Sequence, residues 1–224
     1  MKISILIPTC FRPTMFSNML DSVEETTAGY DIETIAIVDM DAETMKIAAR
    51  RCSITDYAPD KMRGAANCWN KGLKASTGDI IVPAGDDQLF YPHWLDYALE
   101  SHREKLGGYG VVGMNDLAYD GNIQLATMFL FDRKYCQEVM GGIFAHPSLK
   151  YYCIDSEWNA KAKMLGHFYW DERAIVEHLH SAHNKREIDR HDIFRMDEDW
   201  MAMDNKTFAD RLSAGFPIDY DPII

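Results

Sequence analysis

The segment NKGLKASTGDIIVPAGDD (residues 70–87) contains a helix end, a strand and an acidic loop in immediate succession. Residues 64–75 have the character of a helix, and Thr77-Gly78 follows them, with the glycine typical of a helix C-terminus. The run at 79–82 then predicts a buried strand that ends before Gly85-Asp86-Asp87. Helix, strand and polar loop in this order form one unit of an α/β fold.

The same alternation extends in both directions along the chain. Apolar runs at residues 3–7 and 35–38 predict strands that end at Pro8 and Asp39. Helices are predicted from Pro13 onward and over 42–51, 94–105 and 155–165, and further strands over 109–114, 126–131 and 174–176. This alternation predicts an α/β fold with a mostly parallel central sheet flanked by helices. The strands are almost wholly apolar, which indicates that both faces of the sheet are covered.

The composition is that of a folded globular protein. Of 224 residues, 47% are hydrophobic and 26% are charged, which suits one α/β domain with a substantial core. We predict a main domain over residues 1–183 and a polar, helical C-terminal extension over 184–224 that packs on it. The formal net charge of −12 argues against a dedicated nucleic-acid surface and against general attraction to anionic membranes.

Cysteine usage and hydropathy predict a cytoplasmic protein. The five cysteines are scattered and form no CxxC pair, which is typical of reduced thiols rather than of a disulfide framework or zinc site. No run approaches the ~20 apolar residues of a membrane helix. The run at 3–7 is too short for a secretion signal. We therefore expect no stable membrane insertion, while an oligomer stays open.

Polar and charged side chains follow three successive predicted strands where each one ends. In chain order these strand-end residues are Pro8, Thr9, Arg12, Asp39, Asp86 and Asp87. Because ligands of parallel α/β sheets bind beyond the carboxyl ends of the strands, we expect these residues to share one rim. Adjacent carboxylates repel, and a divalent cation with hard oxygen ligands would offset that repulsion. A solvated aspartate pair in a turn is the alternative for Asp86 and Asp87.

In order and spacing, these motifs resemble glycosyltransferase family 2 over roughly residues 3–180. The similar motifs are the first strand with its loop, Val38-Asp39, Asn70-x-Gly72, Ala75 with Gly78, the acidic loop, and Pro92-His93-Trp94-Leu95. The resemblance implies a GT-A fold, which is a Rossmann-like nucleotide-binding architecture, and a nucleotide-sugar donor. Two departures are present. Ala75 and Gly78 are one residue further apart than in the family, and the usual Asp-x-Asp reads Gly85-Asp86-Asp87.

The resemblance also implies residue roles. The donor-binding residues expected are Pro8, Thr9, Arg12, Asp39, Asn70 and Asp86. Arg63, like Arg12, is a further candidate for the nucleotide or its phosphates, because a planar guanidinium group matches phosphate oxygens. Asp86 would contact the donor ribose or the metal shell, and Asp87 would bind Mn²⁺ or Mg²⁺. A surface position is an equal alternative for each arginine. Literal Asp-x-Asp tripeptides also occur at 39–41, 197–199 and 219–221, and we do not assign the metal site to them.

An acidic residue at the start of a late helix is the general base in similar inverting enzymes, and Asp155 matches that position best. Such a base takes the proton of the acceptor hydroxyl as its oxygen attacks the anomeric carbon. Glu157 is the reserve candidate. Helix capping is the alternative explanation for Asp155, because a carboxylate at a helix N-terminus satisfies free N–H groups.

A histidine follows the last predicted strand in similar enzymes, on the metal or the diphosphate. His178 is the matching residue, and we predict it as a second metal ligand. His180 and His183 lie close behind in the chain, so a zinc site is one alternative and a set of surface histidines is another.

The function predicted is a metal-dependent inverting glycosyltransferase that uses a nucleotide-diphosphate sugar, with a UDP-sugar as the first expectation. The acceptor is left open between a sugar, a lipid-linked group, a protein and a nucleic-acid base, the last as in a virus-encoded enzyme acting on modified DNA. Two rivals remain. A nucleotidyltransferase would need a glycine-rich loop after the first strand, and Pro8 to Arg12 contain no glycine. A catalytically inactive nucleotide-sugar-binding module would keep the fold without turnover.

Overall fold

The computed structural model describes residues 1–118, 125–196 and 199–220. Its strands are β1 (Lys2–Thr9), β2 (Asp31–Asp39), β3 (Ile54–Ala58), β4 (Ile80–Pro83), β5 (Gln88–Phe90), β6 (Val111–Asn115), β7 (Met128–Asp132) and β8 (Phe168–His178). Its α-helices are α1 (Pro13–Thr26), α2 (Ala42–Arg51), α3 (Ala65–Ala75), α4 (Trp94–Leu106), α5 (Arg133–Val139), α6 (Ile154–Met164), α7 (Arg190–Met196) and α8 (Trp200–Ser213).

The eight strands form one mixed sheet in the order β3-β2-β1-β4-β7-β6-β8-β5. The first four strands of this order are parallel, and so is the β6-β8 pair. Strand β7 runs antiparallel to both of its neighbours, and β5 runs antiparallel to β8. The α/β fold with flanking helices is thus confirmed, with four parallel and three antiparallel pairings.

Both faces of the sheet are covered, as the apolar strands indicated. One buried cluster joins the sheet to α1 and α4 and includes Phe16 and Trp94. The other joins the opposite face to α3, α5 and α6, with Trp158 stacked on Phe131 at 4.2 Å between ring centroids. The core therefore holds the carboxyl ends of β1, β2 and β4 in register along one edge.

A close backbone approach explains Gly78, which does not cap α3, because the C-cap of that helix is Ser76. A Cβ atom on Gly78 would lie 2.4 Å from Oγ of Ser4 and 2.7 Å from its backbone nitrogen. The Gly78 N–H donates to Ser4 Oγ at 2.8 Å and to Glu33 Oε1 at 3.1 Å. Glycine is required here because a side chain would clash with β1, beside which β4 then begins.

The segment predicted as a C-terminal extension contains α7 and α8 in its described part. Helix α8 packs against the first turn of α6 through Arg211 and Glu157. The division of the chain at residue 183 stays a prediction. Among the described helices, none combines the length and the hydropathy needed to cross a bilayer.

Candidate active site

A cavity of about 680 Å³ opens at the carboxyl ends of β1, β2 and β4 and beside the end of β8. Eight of the ten residues predicted for the site line this one cavity. They are Pro8, Thr9, Arg12, Asp39, Asp86, Asp87, Asp155 and His178. The structure thus brings side chains from five separate parts of the chain together, as the strand-end argument required.

Arg12 lies between the two carboxylates of the acidic loop. Its Nη1 atom donates to Asp86 Oδ1 at 2.9 Å and to Asp87 Oδ2 at 3.0 Å, and all three side chains are buried. The Thr9 hydroxyl donates to the other Asp86 oxygen at 2.8 Å. Burial raises the pKa of Asp86, and the neighbouring Asp87 adds to this against the opposing effect of Arg12. The two aspartates are therefore inequivalent.

His178 lies beside the second of these carboxylates. Its Nε2 atom is 3.3 Å from Asp87 Oδ1. The backbone sets this contact, because the Leu179 N–H donates to the Asp87 carbonyl at 2.8 Å. Burial acts to raise the pKa of Asp87, but His178 and Arg12 outweigh it and lower that pKa. The pKa of His178 is raised in turn, since the attraction of Asp87 exceeds the effect of burial.

Helix α7 and the residues before it add charges that the sequence did not assign to the site. Arg186 Nη2 lies 3.5 Å from Asp87 Oδ2 and also pairs with Asp192. Arg12 reaches Asp189 at 2.7 Å and Asp192 at 3.1 Å. Arg195 also lies 3.7 Å from Asp192, so three arginines and four aspartates form one ion-pair network beside the cavity. The sequence carried no signal for the contacts of Arg12 and Asp87 with residues 186–192, since those partners are 99 to 180 residues apart in the chain.

One group of three ligand-type side chains is found in the described part of the chain. The ligand atoms of Asp189, His191 and Asp192 lie within 4.8 Å of one another. Both carboxylates already pair with arginines. Within the described ranges, His178, His180 and His183 do not bring their ring nitrogens within 4.8 Å of one another. The structure thus does not show the zinc site that was one predicted alternative. Burial lowers the pKa of His180 to about 4.

Asp155 lines the cavity from the second residue of α6. The N-cap of this helix is Cys153, in a left-handed conformation with φ of 62°, so Asp155 does not occupy the capping position. Its Oδ1 accepts the N–H of Ser156 at 2.8 Å. Within residues 1–118, 125–196 and 199–220, no basic side chain forms an ion pair with it. Burial raises the pKa of Asp155, which makes it a stronger base once it is ionised.

Glu157, the reserve candidate for the base, is committed elsewhere. Both of its carboxylate oxygens accept hydrogen bonds from Arg211, at 2.8 and 3.0 Å. It is 4% exposed and is not among the cavity-lining residues. The geometry therefore separates the two acidic residues of this helix turn, and Asp155 alone faces the cavity.

Arg63, predicted as a donor ligand, does not line the main cavity. Its backbone N–H donates to Asp39 Oδ2 at 2.6 Å, and its guanidinium group contacts Asp39, Asp56 and the carbonyl of Val38. The structure therefore does not place Arg63 at the donor phosphates. Its backbone N–H and guanidinium group bind the Asp39 carboxylate instead. Asp39 itself remains at the cavity wall.

Asn70, also predicted as a donor ligand, lies outside the main cavity as well. Its side-chain oxygen accepts the N–H groups of Phe144 and Ala145 at 2.8 and 3.0 Å, and its Nδ2 donates to the Ala145 carbonyl. These hydrogen bonds occupy both ends of the Asn70 side-chain amide and hold residues 144–145 against α3. Asn70 thus shapes the cavity through Phe144, which lines it.

The residues beside the cavity suit a divalent cation in part. Asp87 Oδ1 and His178 Nε2 provide an oxygen and a nitrogen atom next to each other, a donor set compatible with Mn²⁺. Arg12 and Arg186 contact the other oxygen of Asp87. Of the literal Asp-x-Asp tripeptides, Asp41 caps α2 through the N–H groups of Glu43 and Thr44. Residues 197, 198 and 221 of the other two lie outside the described residues.

The fold is similar to solved glycosyltransferase structures. A mannosyltransferase from Pyrobaculum calidifontis, in complex with GDP-Man and Mn²⁺, is 18% identical with a TM-score of 0.62, over 78% of this chain and 56% of that one. Glucosyl-3-phosphoglycerate synthase from Mycobacterium tuberculosis, with Mn²⁺, UDP-glucose and phosphoglyceric acid, is 14% identical with a TM-score of 0.62. That similarity covers 93% of this chain and 80% of the synthase.

A third similar structure is S. aureus TarS 1–349, at 14% identity and a TM-score of 0.63, over 79% of this chain and 59% of that fragment. The chain thus spans little more than half the length of the mannosyltransferase and of the TarS fragment. A comparison with curated protein sequences finds no match. At these identities, the structures establish a shared GT-A fold.

The sequence itself decides the family. The profile of glycosyl transferase family 2 matches residues 4–191, which include most of β1, the acidic loop, α6, β8 and the start of α7. This range contains all eight predicted residues that line the cavity. The chain therefore belongs to glycosyl transferase family 2.

Proposed function

We propose that this protein is a metal-dependent inverting glycosyltransferase that moves a sugar from a nucleotide-diphosphate sugar, with a UDP-sugar as the first candidate, to a hydroxyl acceptor. One observation carries the proposal. The Asp155 carboxylate, free of ion pairs within the described ranges, lines the same cavity as the strand-end residues Asp39 and Asp86-Asp87. A base and a nucleotide site that share one cavity are what a single displacement requires.

The donor nucleotide is assigned to the ends of β1 and β2. Pro8, Thr9 and Asp39 form this part of the cavity wall, and Arg63 fixes the Asp39 carboxylate by two contacts. A rigid carboxylate can accept hydrogen bonds from a base or ribose without first losing side-chain freedom. The similar mannosyltransferase and synthase were solved with GDP-Man and with UDP-glucose, which supports a nucleotide-sugar donor.

Asp155 acts as the general base in this proposal. It accepts the proton of the acceptor hydroxyl while the acceptor oxygen bonds to the anomeric carbon and the bond to the diphosphate breaks. The raised pKa of Asp155 favours this transfer, because a stronger base accepts the proton more readily. A divalent cation held by Asp87 and His178 would neutralise charge on the diphosphate.

The experiment is a transfer assay over UDP-, GDP- and dTDP-sugars with Mn²⁺, with Mg²⁺ and with EDTA. We expect turnover with one donor class, loss of turnover in EDTA, and an inverted anomeric configuration in the product by NMR. Asp155→Asn should lower kcat for transfer by about 10²- to 10⁴-fold while the donor still binds. Full activity in EDTA would remove the metal from the proposal, and a retained configuration would remove the single displacement.

A nucleotide-sugar-binding module without turnover is a second candidate, and one observation favours it. Two guanidinium groups, from Arg12 and Arg186, contact the carboxylate that would bind the cation. An arginine can satisfy such a carboxylate permanently and so replace a metal. Calorimetry that shows tight donor binding without Mn²⁺, together with no hydrolysis or transfer of any donor, would establish this function instead.

A further inference from the structure

Helix α8 packs on the domain through two buried charges. Its buried residues are Asp204 and Arg211, which are seven positions apart and so share one face of the helix. Arg211 pairs with Glu157 in the first turn of α6. Asp204 is fully buried, and within the described residues it forms no ion pair. A buried carboxylate without a cation must be satisfied by hydrogen bonds.

Three consecutive backbone N–H groups satisfy it. Asp204 Oδ2 accepts from Tyr151 and from Tyr152, both at 2.7 Å, and the Lys150 N–H lies 3.0 Å from Oδ1. Successive N–H groups that converge on one carboxylate form an anion-binding backbone turn. The conformation of residues 150–152 is therefore coupled to a side chain of α8, more than fifty residues later in the chain.

The clamped residues lead directly into α6. Cys153 follows in a left-handed conformation, no side chain caps the helix, and Asp155 is the second helical residue. The contacts of Asp204 with residues 150–152 and of Cys153 with Asn205 connect the segment before α6 to α8. Tyr151 and Tyr152, which donate two of the three bonds, also line the cavity.

We propose that Asp204 is a positioning residue for the reaction. It holds residues 150–152 so that the Asp155 carboxylate points into the cavity. Through this contact, α8 contributes to the geometry of the active site. This proposal rests on the proposed function, in which Asp155 is the base. Asp204 does not line the cavity, so it acts through the backbone and not on the substrates.

The test compares Asp204→Asn with Asp210→Asn. Both changes remove one negative charge from α8, but Asp210 is exposed. For Asp204→Asn we expect kcat for transfer to fall about 10- to 100-fold, the cost of slight misplacement of a reacting group. Donor affinity, measured by calorimetry, should stay within about threefold of the unmodified value. The proposed nucleotide-binding residues lie at the ends of β1 and β2 and not in α8. Asp210→Asn should match the unmodified protein in both measurements.

A second measurement reports the clamp without any turnover. Hydrogen exchange at the amides of Tyr151 and Tyr152 should be faster in Asp204→Asn and unchanged in Asp210→Asn. Unchanged exchange, or a kcat equal to that of the unmodified protein, overturns the proposal. A parallel loss of kcat, donor affinity and thermal stability also overturns it, because Asp204 would then be merely structural.

Two further results separate this proposal from the one on which it rests. If Asp204→Asn does not fold, Asp204→Ser replaces it, because a serine hydroxyl can still accept one of the bonds. Failure of both to fold counts against a positioning role. If Asp155→Asn retains full transfer, the proposed base is wrong. If Asp155→Asn is inactive and Asp204→Asn is fully active, only the positioning role is wrong.

Discussion

Arg211 forms a two-point ion pair with Glu157, with Nε and Nη2 donating to the two carboxylate oxygens at 3.0 and 2.8 Å. Both side chains are buried. Because this pair keeps Glu157 out of the cavity, the two acidic residues in the first turn of α6 lie in different environments. Asp155 lines the cavity, whereas Glu157 attaches α8 to the domain.

Substitution at these two positions should therefore give opposite results. Asp155→Asn should lower kcat for transfer by about 10²- to 10⁴-fold, the usual contribution of a general base, with little change in thermal stability. Glu157→Gln should keep most of the turnover and lose on the order of 3 kcal/mol of unfolding free energy, because it leaves Arg211 buried without its full partner. Steady-state kinetics and urea unfolding of both variants provide the check. Equal kinetic loss in the two would contradict the assignment.

The pH dependence of turnover follows from the same assignment. A general base must be deprotonated, and burial raises the pKa of Asp155 above the ordinary aspartate value. The fall in kcat on acidification should therefore begin at a higher pH than an ordinary carboxylate would give. A kcat–pH profile at saturating substrate, with the donor Kd measured at each pH, tests this. A profile that remains flat down to the ordinary aspartate range would exclude Asp155 as the titrating base.

The strand ends of this site could be predicted from sequence, and the ion-pair network could not. Pro8, Thr9, Asp39, Asp86 and Asp87 follow apolar runs, and parallel topology brings the ends of such runs to one edge. That rule uses only local signals. It needs no knowledge of how distant segments pack.

Long-range contacts explain most of what the sequence did not reveal. Arg12 and Asp189 are 177 residues apart, and nothing in the pattern around either one indicates the other. Asn70 belongs to a family motif, and Arg63 was a candidate because of its guanidinium chemistry. Asn70 bonds instead to backbone groups of Phe144 and Ala145, and Arg63 bonds to the carboxylates of Asp39 and Asp56. The sequence predicts the C-terminal segment only as a polar helical extension that packs on the domain, and the fold buries Asp204 and Arg211 within it.

The arginine contacts to Asp87 predict competition with a cation. Arg186 lies 3.5 Å from Asp87 Oδ2, so its positive charge opposes a divalent ion at the same carboxylate. Arg186→Ala should bind Mn²⁺ about tenfold more tightly than the unmodified protein, which corresponds to ~1.4 kcal/mol. Lys185→Ala is the matched control, because Lys185 pairs with Glu177 and not with Asp87. Calorimetric titration with MnCl₂ measures both. Equal affinity in all three proteins would place the ion away from Asp87.

The ionised carboxylate of Glu33 connects β2 to β1 and to the loop before β4, and we expect its contribution to stability to depend on pH. Burial alone would raise its pKa, but bonds from Lys2, Ser4 and Thr77 outweigh burial and lower the pKa from 4.5 to about 2. Because the folded-state pKa is depressed, the stabilisation is present above the unfolded value near 4.5 and is lost as the pH falls toward 2.

Glu33→Gln should therefore lose on the order of 2 kcal/mol of unfolding free energy at neutral pH, and the loss relative to the unmodified protein should shrink on acidification. Glu25→Gln, at an exposed position of α1, is the control for removing one carboxylate. Urea unfolding at several pH values from neutral to acidic measures the difference. A difference that is independent of pH would mean that packing at Ser4 and Gly78, and not the charge of Glu33, provides the stabilisation.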